Sequence, residues 1–265
     1  MKRLTMAVGS GLGDRVRASL WGFRTARELG MEFELVWEQD PTCQVWFDDL
    51  FTTPPMGHKV HRETTLHKHY LGWASHQEAL DYIHGIGDSI NGQCMVIVAP
   101  HFPYEEMDQL FVPQPEIFDK AKAFSEANHL NRRVGMHVRA DDPAGSVYKA
   151  YAPKIEAYIA AFKRLKRYGP EGICLATCDI AHCGGLLQMG SRINVVQYPV
   201  RAVDFSKEAI LDAAVVLYSM RDTAAFVGSR YSGFTSMITK GARCDDRDKK
   251  IGLWKKEAGK FALVR

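Results

Sequence analysis

Long apolar runs are missing from this sequence. No stretch of about 18 or more apolar residues occurs, so no segment predicts a membrane-spanning helix. Long basic blocks are missing too. The clusters Lys163 to Arg167 and Arg247 to Lys250 are short and read as solvated helix faces, so nothing demands nucleic acid. The start, MKRLTMAVGSG, has only a short apolar run before its glycines and does not read as a secretory leader. The expectation is a cytoplasmic protein whose six cysteines are free thiols rather than a disulfide framework. Metal-ligand spacing is also absent. Cys174, Cys178, His182 and Cys183 lie close together, but no second paired motif completes four ligands. His58, His61, His67 and His69 fall in a polar stretch without a carboxylate partner at helical spacing, and read as a solvated loop. There is no internal repeat and no low-complexity tract.

What is present is ordinary globular material. Hydrophobic residues make up 46% and charged residues 25%, and the formal net charge is +3. A mildly basic chain permits an anionic ligand. At 265 residues it sits near the size at which single cores divide into two.

The pattern alternates strand and helix. Leu4 to Val8 predicts a strand, Gly9 to Gly13 a turn, Asp14 to Leu29 a helix on its apolar spacing, and Phe33 to Trp37 a second strand. That is a parallel βαβ unit. Thr52 to Trp73 is loop-rich. A short helix is expected at Ser75 to His84, a strand at Met95 to Ala99 and a helix at Glu116 to Asn128. Strands then follow at Val134 to Val138, Ile173 to Thr177, Val195 to Tyr198 and Ala225 to Gly228. Helices fall at Ala152 to Tyr168, Ala209 to Met220 and Gly233 to Thr239. The fold expected is α/β, with mainly parallel sheets in two Rossmann-type halves. The border is drawn at 130/131, giving an N-terminal domain 1–130 and a C-terminal domain 131–265.

Three segments carry candidate chemistry. In the first, Gly9, Gly11, Gly13 and Asp14 turn from strand to helix, with Arg15 and Arg17 beside them. Glycines allow close backbone approach to a ligand, and a helix N-terminus attracts anions. Contact with a diphosphate or an acceptor and a plain tight turn are both open here. A dinucleotide fingerprint places its third glycine one position later, and Glu38 would have to mimic its ribose-binding acid.

The second segment is VGMHVRADD, Val134 to Asp142. It puts His137, Arg139, Asp141 and Asp142 at the carboxyl end of a strand, where ligands of open α/β sheets gather. Side chains alternate along a strand, so His137 and Arg139 share a side. A guanidinium grips phosphate oxygens through two parallel hydrogen bonds. An ion pair between Arg139 and Asp142 that caps the loop is the structural alternative. The third segment, FVGSRYSGFTSM, runs from a strand through Ser229 and Ser232 into a helix. Its hydroxyls suit a nucleotide phosphate or a helix cap.

In this order the motifs resemble the fucosyltransferase superfamily of GT-B fold, which includes α-1,6-fucosyltransferases, nodulation fucosyltransferases and protein O-fucosyltransferases. GLGDRVRASLWGFRTARELG is similar to its opening glycine loop and helix, and VWEQDPTCQVWFDDLF to the segment after it. VGMHVRADD is similar to its H-x-R strand motif, ICLATCD to its next strand and FVGSRYSGFTSMI to its closing element. The resemblance implies two halves with a cleft between them. It implies a nucleotide-sugar donor, GDP-fucose, a glycan or other hydroxyl acceptor, and inverting transfer that requires no metal and no cofactor. It implies Arg139 on the β-phosphate, His137 beside the nucleotide, Asp142 as a loop-organising acid, Ser229 and Ser232 near the phosphates, and Asp212 at the guanine edge. Gly11, Gly13 and Asp14 join the donor set through the glycine loop.

Two departures stand out. Many members carry a second arginine where this chain has Ala140. Some carry a glutamate as acceptor base where this chain reads PAGSVYKAY. Asp141, Asp14 or Asp49 would then serve as base, or the acceptor would lose its proton late. A non-catalytic sugar- or nucleotide-binding protein of this fold, and a nicotinamide-dependent oxidoreductase, are the alternative expectations.

Overall fold

In the computed structural model, the residues described are 2–52, 59–72, 76–97, 106–139, 153–166, 170–177, 183, 193–202, 204–229, 232–240, 251–258 and 260–264. The chain divides into two compact units, Met1–Gln114 with Phe205–Ile210, and Pro115–Asp204 with Leu211–Arg265.

The first unit holds strands β1 (Arg3–Val8), β2 (Glu32–Trp37), β3 (Lys59–His61), β4 (His67–Gly72) and β5 (Gln93–Ile97). They form one sheet in the order β3-β2-β1-β5-β4, with every neighbouring pair parallel. Five consecutive residues are buried in β1 and again in β2, as expected of strands covered on both faces. These two strands therefore read as mainly apolar, interrupted by Thr5 and Glu34, both of which are buried. Helix α1 (Leu12–Glu28) buries Val16, Leu20, Phe23 and Ala26. Further helices are α2 (Phe47–Leu50), α3 (His76–Ile86) and α4 (Met107–Leu110). The strand order reverses at β1, between β2 and β5. This puts the glycine loop that follows β1 at the switch point of the sheet.

One expectation fails here. Thr52 to Trp73 contains β3 and β4, not only loop, and His61, His67 and His69 lie on those strands. Both are edge strands. An edge needs little apolar content and tolerates charged and polar side chains, so the sequence signal is weak.

The second unit opens with helix α5 (Pro115–Ala127), which precedes the border drawn from the sequence. Ser219 Oγ, which donates to the Val215 carbonyl at 2.8 Å, lies 3.3 Å from the Ala121 carbonyl of this helix and shares its proton with it. Strands β6 (Arg133–Val138), β7 (Gly172–Thr177), β8 (Asn194–Gln197), β9 (Ala225–Ser229), β10 (Ile251–Glu257) and β11 (Lys260–Leu263) form the second sheet. Its order is β11-β10-β9-β6-β7-β8. The pairs among β9, β6, β7 and β8 are parallel, and a terminal antiparallel hairpin extends the sheet beyond β9. The hairpin is a second feature the sequence reading missed.

Among the described residues this unit also holds helices α6 (Ile155–Lys166), α7 (Lys207–Met220, of which the part from Leu211 belongs here) and α8 (Gly233–Ile238). Val134, Met136 and Val138 pack with Tyr158, Phe162 and Leu165 of α6 and with Ile173, Leu175 and Val227 of the neighbouring strands. The alternate face of β6 looks the other way. A Cβ added at Gly135 would come within 2.8 Å of Phe226 and Thr223, and 3.0 Å of Met220. His137 is on this second face. Here too the strand order reverses, between β7 and β9 at β6, which makes the carboxyl ends of β6 and β9 the switch point.

Candidate functional site

The second unit gathers the larger set of predicted site residues. Parallel pairing aligns His137 on β6 with Gly228 on β9, so Arg139 and Ser229 follow at adjacent strand ends. Helix α8 begins just after. The ring of His137 lies 4.8 Å from that of Phe234, and His137 Nδ1 is 3.0 Å from Thr235 Oγ1. The Thr235 side chain sits where a Cβ on residue 228 would have to be, 2.6 Å from Oγ1, so only glycine fits at Gly228.

The electrostatics favour a neutral imidazole. Removal from water pushes His137 down to about 3, and the neighbouring Arg139 guanidinium adds to the effect. His137 and Arg139 occupy alternate positions of β6 and its end, the same side of the strand. Arg139 is partly exposed, and its backbone N–H donates to the Tyr158 hydroxyl at 3.4 Å. Burial pushes the Tyr158 phenol far up, so it acts as a neutral hydrogen-bonding group.

Ser229 and Ser232 are both buried, and the Ser232 N–H donates to the Ser229 carbonyl at 3.3 Å. Ser232 occupies the N-cap of α8, yet its side chain does not cap it. Its hydroxyl is buried and, among the described residues, has no hydrogen-bond partner. A buried donor left unsatisfied costs about 1–3 kcal/mol, a cost that a bound oxygen would remove. Of the two roles open from the sequence, side-chain capping of the helix is not the one seen. Asp141 and Asp142, with Arg230, lie outside the described residues.

Gly11, Gly13 and Asp14 form a separate group in the first unit. The left-handed residue of this loop is Ser10, with φ 69°, rather than a glycine. Gly11 is extended and caps α1. Asp14 accepts from Ser10 Oγ at 3.1 Å and from Arg17 Nη2 at 2.7 Å, so its carboxylate is already engaged.

Arg15 differs most from its sequence reading. Its side chain is fully buried, 0% exposed, not an available charge. Its Nε donates to the Ser10 carbonyl at 2.7 Å, and Nη1 donates to the carbonyls of Val8 at 3.1 Å and Glu38 at 2.5 Å. Nη2 meets Asp40 at 2.5 Å, and the guanidinium stacks 5.3 Å from the Trp37 ring centroid. Arg15 is a clamp that joins the ends of β1 and β2. Glu38, the residue that would mimic a ribose-binding acid, pairs with Lys68.

Asp212 sits on α7 and is buried. Its carboxylate accepts from the Arg201 backbone N–H at 2.7 Å and from Arg201 Nη2 at 2.8 Å and Nε at 3.1 Å. The acid that the resemblance assigns to guanine is thus held on both oxygens by Arg201. Asp49 likewise bonds Lys207, at 2.5 Å. Cys43, Cys94, Cys174 and Cys183 are free and buried. Among the described residues no group of three or more His, Cys, Asp or Glu side chains is arranged to hold a metal ion. No described helix is long and apolar enough to cross a membrane.

Three site residues escaped the sequence reading: Thr235, Gly228 and Tyr158. Thr235 and His137 are 98 positions apart, and only the register of β6 on β9 brings them together.

Neither a protein-family model nor a curated protein matches the sequence. Solved structures do match. The α-1,6-fucosyltransferase NodZ soaked with GDP-fucose superposes with a TM-score of 0.65 at 13% identity, covering 97% of this chain and 99% of that one. POFUT1 in complex with GDP gives 0.62 at 13% identity, covering 94% and 96%. An Arabidopsis thaliana FUT1 mutant in complex with GDP gives 0.60 at 15% identity, covering 99% and 73%. Two mainly parallel α/β sheets, each with its switch point after its first strand, thus give this chain the GT-B fold of these fucosyltransferases.

Proposed function

We propose that the protein is a glycosyltransferase that uses a GDP-sugar donor, GDP-fucose, and transfers the sugar to a hydroxyl acceptor with inversion and without a metal ion. The observation that carries this reading is the group at the ends of β6 and β9: a guanidinium, a neutral imidazole and a buried hydroxyl that has no partner among the described residues. These are anion-binding and hydrogen-bonding groups, the kind a nucleoside diphosphate needs. Structures of the same fold hold GDP or GDP-fucose, which supports the choice of nucleotide.

The chemistry follows from the residue types. The acceptor oxygen bonds to the anomeric carbon as the bond from that carbon to the β-phosphate oxygen breaks. The electron pair leaves with GDP, and the acceptor proton passes to a base. Asp141 and Asp142 are the carboxylates nearest in sequence to the strand end. Negative charge grows on the β-phosphate toward the transition state, and Arg139 offers fixed positive charge there. The neutral His137 adds a hydrogen bond without competing for the phosphate as a second cation.

Two measurements test the proposal. GDP should raise the melting temperature in the presence of EDTA, and stabilisation by UDP with manganese alone would refute both nucleotide and mechanism. Arg139→Lys keeps the charge but loses the two-point grip. It should lower kcat roughly 10²- to 10³-fold, the scale of one lost transition-state contact, with a smaller effect on GDP affinity. Near-normal turnover would remove Arg139 from the catalytic groups. A binding protein without turnover is the second reading, favoured by Ala140 after Arg139; it predicts GDP binding with no donor consumption.

A further inference from the structure

We propose that Thr235 is a positioning residue that fixes the tautomer of His137, so that the imidazole presents Nε2–H as a neutral donor to the phosphate oxygens of the bound nucleotide. The inference rests on the proposed donor site and adds a residue and a proton position to it.

The proton assignment comes from counting acceptors. Thr235 Oγ1 lies 3.0 Å from His137 Nδ1, so one of the two donates. A threonine inside a helix commonly returns its hydroxyl proton to the carbonyl three or four residues earlier. Thr235 sits in the first turn of α8, whose N-cap is Ser232. Among the described residues Thr235 Oγ1 makes no such bond, although the Ser232 carbonyl three back keeps a second lone pair beside the one that accepts the Ser236 N–H at 3.0 Å. Among the described residues, His137 Nδ1 is the partner of Thr235 Oγ1. The hydroxyl proton thus goes to Nδ1, and a neutral imidazole must then carry its own proton on Nε2.

Neutrality has two physical causes, the removal of the ring from water and the Arg139 charge. Geometry locks the pair together. The ring rests against Phe234, and Gly228 alone leaves room for the Thr235 side chain. Among the described residues Nε2 has no protein partner. The opposite tautomer would turn a lone pair toward phosphate oxygens and repel them. The hydroxyl therefore sets whether His137 attracts or repels a diphosphate.

The test uses 15N-histidine-labelled full-length protein, with the His137 signals assigned through His137→Gln, and GDP as the ligand. The wild type is expected to show Nδ1 unprotonated and Nε2 protonated at neutral pH. Thr235→Val, which keeps the shape and removes the hydroxyl, should mix the tautomers and weaken GDP binding roughly tenfold. Thr235→Ser should restore both within about twofold. A wild-type Nδ1–H signal, or an unchanged tautomer in Thr235→Val, overturns the assignment. Unchanged GDP affinity beside a changed tautomer overturns the link to the ligand. A wild type that binds no GDP refutes the proposed donor site itself, while the nitrogen signals still decide the proton position. A melting temperature for each variant separates these outcomes from misfolding.

Discussion

Replacing Arg15 with lysine separates the two uses that a buried arginine in a glycine loop can have. The native guanidinium makes four hydrogen bonds: to the carbonyls of Ser10, Val8 and Glu38, and to the Asp40 carboxylate. A lysine ammonium reaching the same place keeps about two of them, because its three donors radiate from one atom instead of a planar fork. Two bonds from a charged group are lost, at roughly 1.5–3 kcal/mol each, so a loss of about 3 kcal/mol or more is expected. Carbonyls left buried at the ends of β1 and β2 push the cost up, and a water admitted into the gap pulls it down. A change of that size lowers the melting temperature by roughly 10–20 °C for a unit of this length, which lies between a small domain and one of 150–250 residues. Calorimetry with and without GDP reads the outcome. The expected result is a lower transition with near-normal GDP affinity in the folded protein. Unchanged stability with sharply weaker GDP binding would falsify the clamp and return Arg15 to the ligand-binding groups.

Other consequences follow from the same structure. His137 has its folded-state value pushed down to about 3 from 6.5, so its contribution to stability is complete above about pH 6.5 and is lost as pH falls toward 3; His137→Gln should flatten that part of the stability–pH curve. GDP affinity should show no His137 titration step between pH 5 and 8, because the ring is neutral throughout; such a step, abolished in His137→Gln, would contradict a neutral donor. Asp212→Asn removes the charge that Arg201 grips on both oxygens and should destabilise the protein by about 1–3 kcal/mol, measured by urea unfolding. Loss of GDP binding without loss of stability would instead restore Asp212 to the guanine edge.

Which elements were legible in the sequence depends on how many faces each buries. β1, β2, β6, β7 and β9 are covered on both sides and read as apolar runs, so their positions were found within a residue or two. Helix α6 was equally clear, because Tyr158, Phe162 and Leu165 repeat at helical spacing. The strands β3, β4, β10 and β11 were missed. They lie at or next to sheet edges, where sequences such as KVH and HKHYLG need no apolar face.

The candidate site divides in the same way. Alternation along one strand puts His137 and Arg139 on one side of the sheet. It was not enough to find Thr235, because that contact depends on which strand lies beside β6. The role of Arg15 was misread for a related reason. A sequence shows a cation beside glycines, but not the three carbonyls that converge on it from two strands.

Both sheets reverse their strand order at the first strand, so each unit has a switch point of the kind that binds ligands. Their polar groups are used differently. At the first switch point the loop is closed on itself: Arg15 holds three carbonyls and Asp40, while Asp14 takes Ser10 and Arg17. The polar side chains of such a loop are committed to its own shape. At the second, Ser232 keeps a buried hydroxyl without a partner among the described residues, and His137 is forced neutral beside a guanidinium. Leaving a buried donor unsatisfied costs folding free energy, and a ligand that accepts hydrogen bonds returns it. The same fold elements thus argue for a nucleotide seat in the second unit, and for a preformed backbone surface, not a charged one, at the glycine loop of the first.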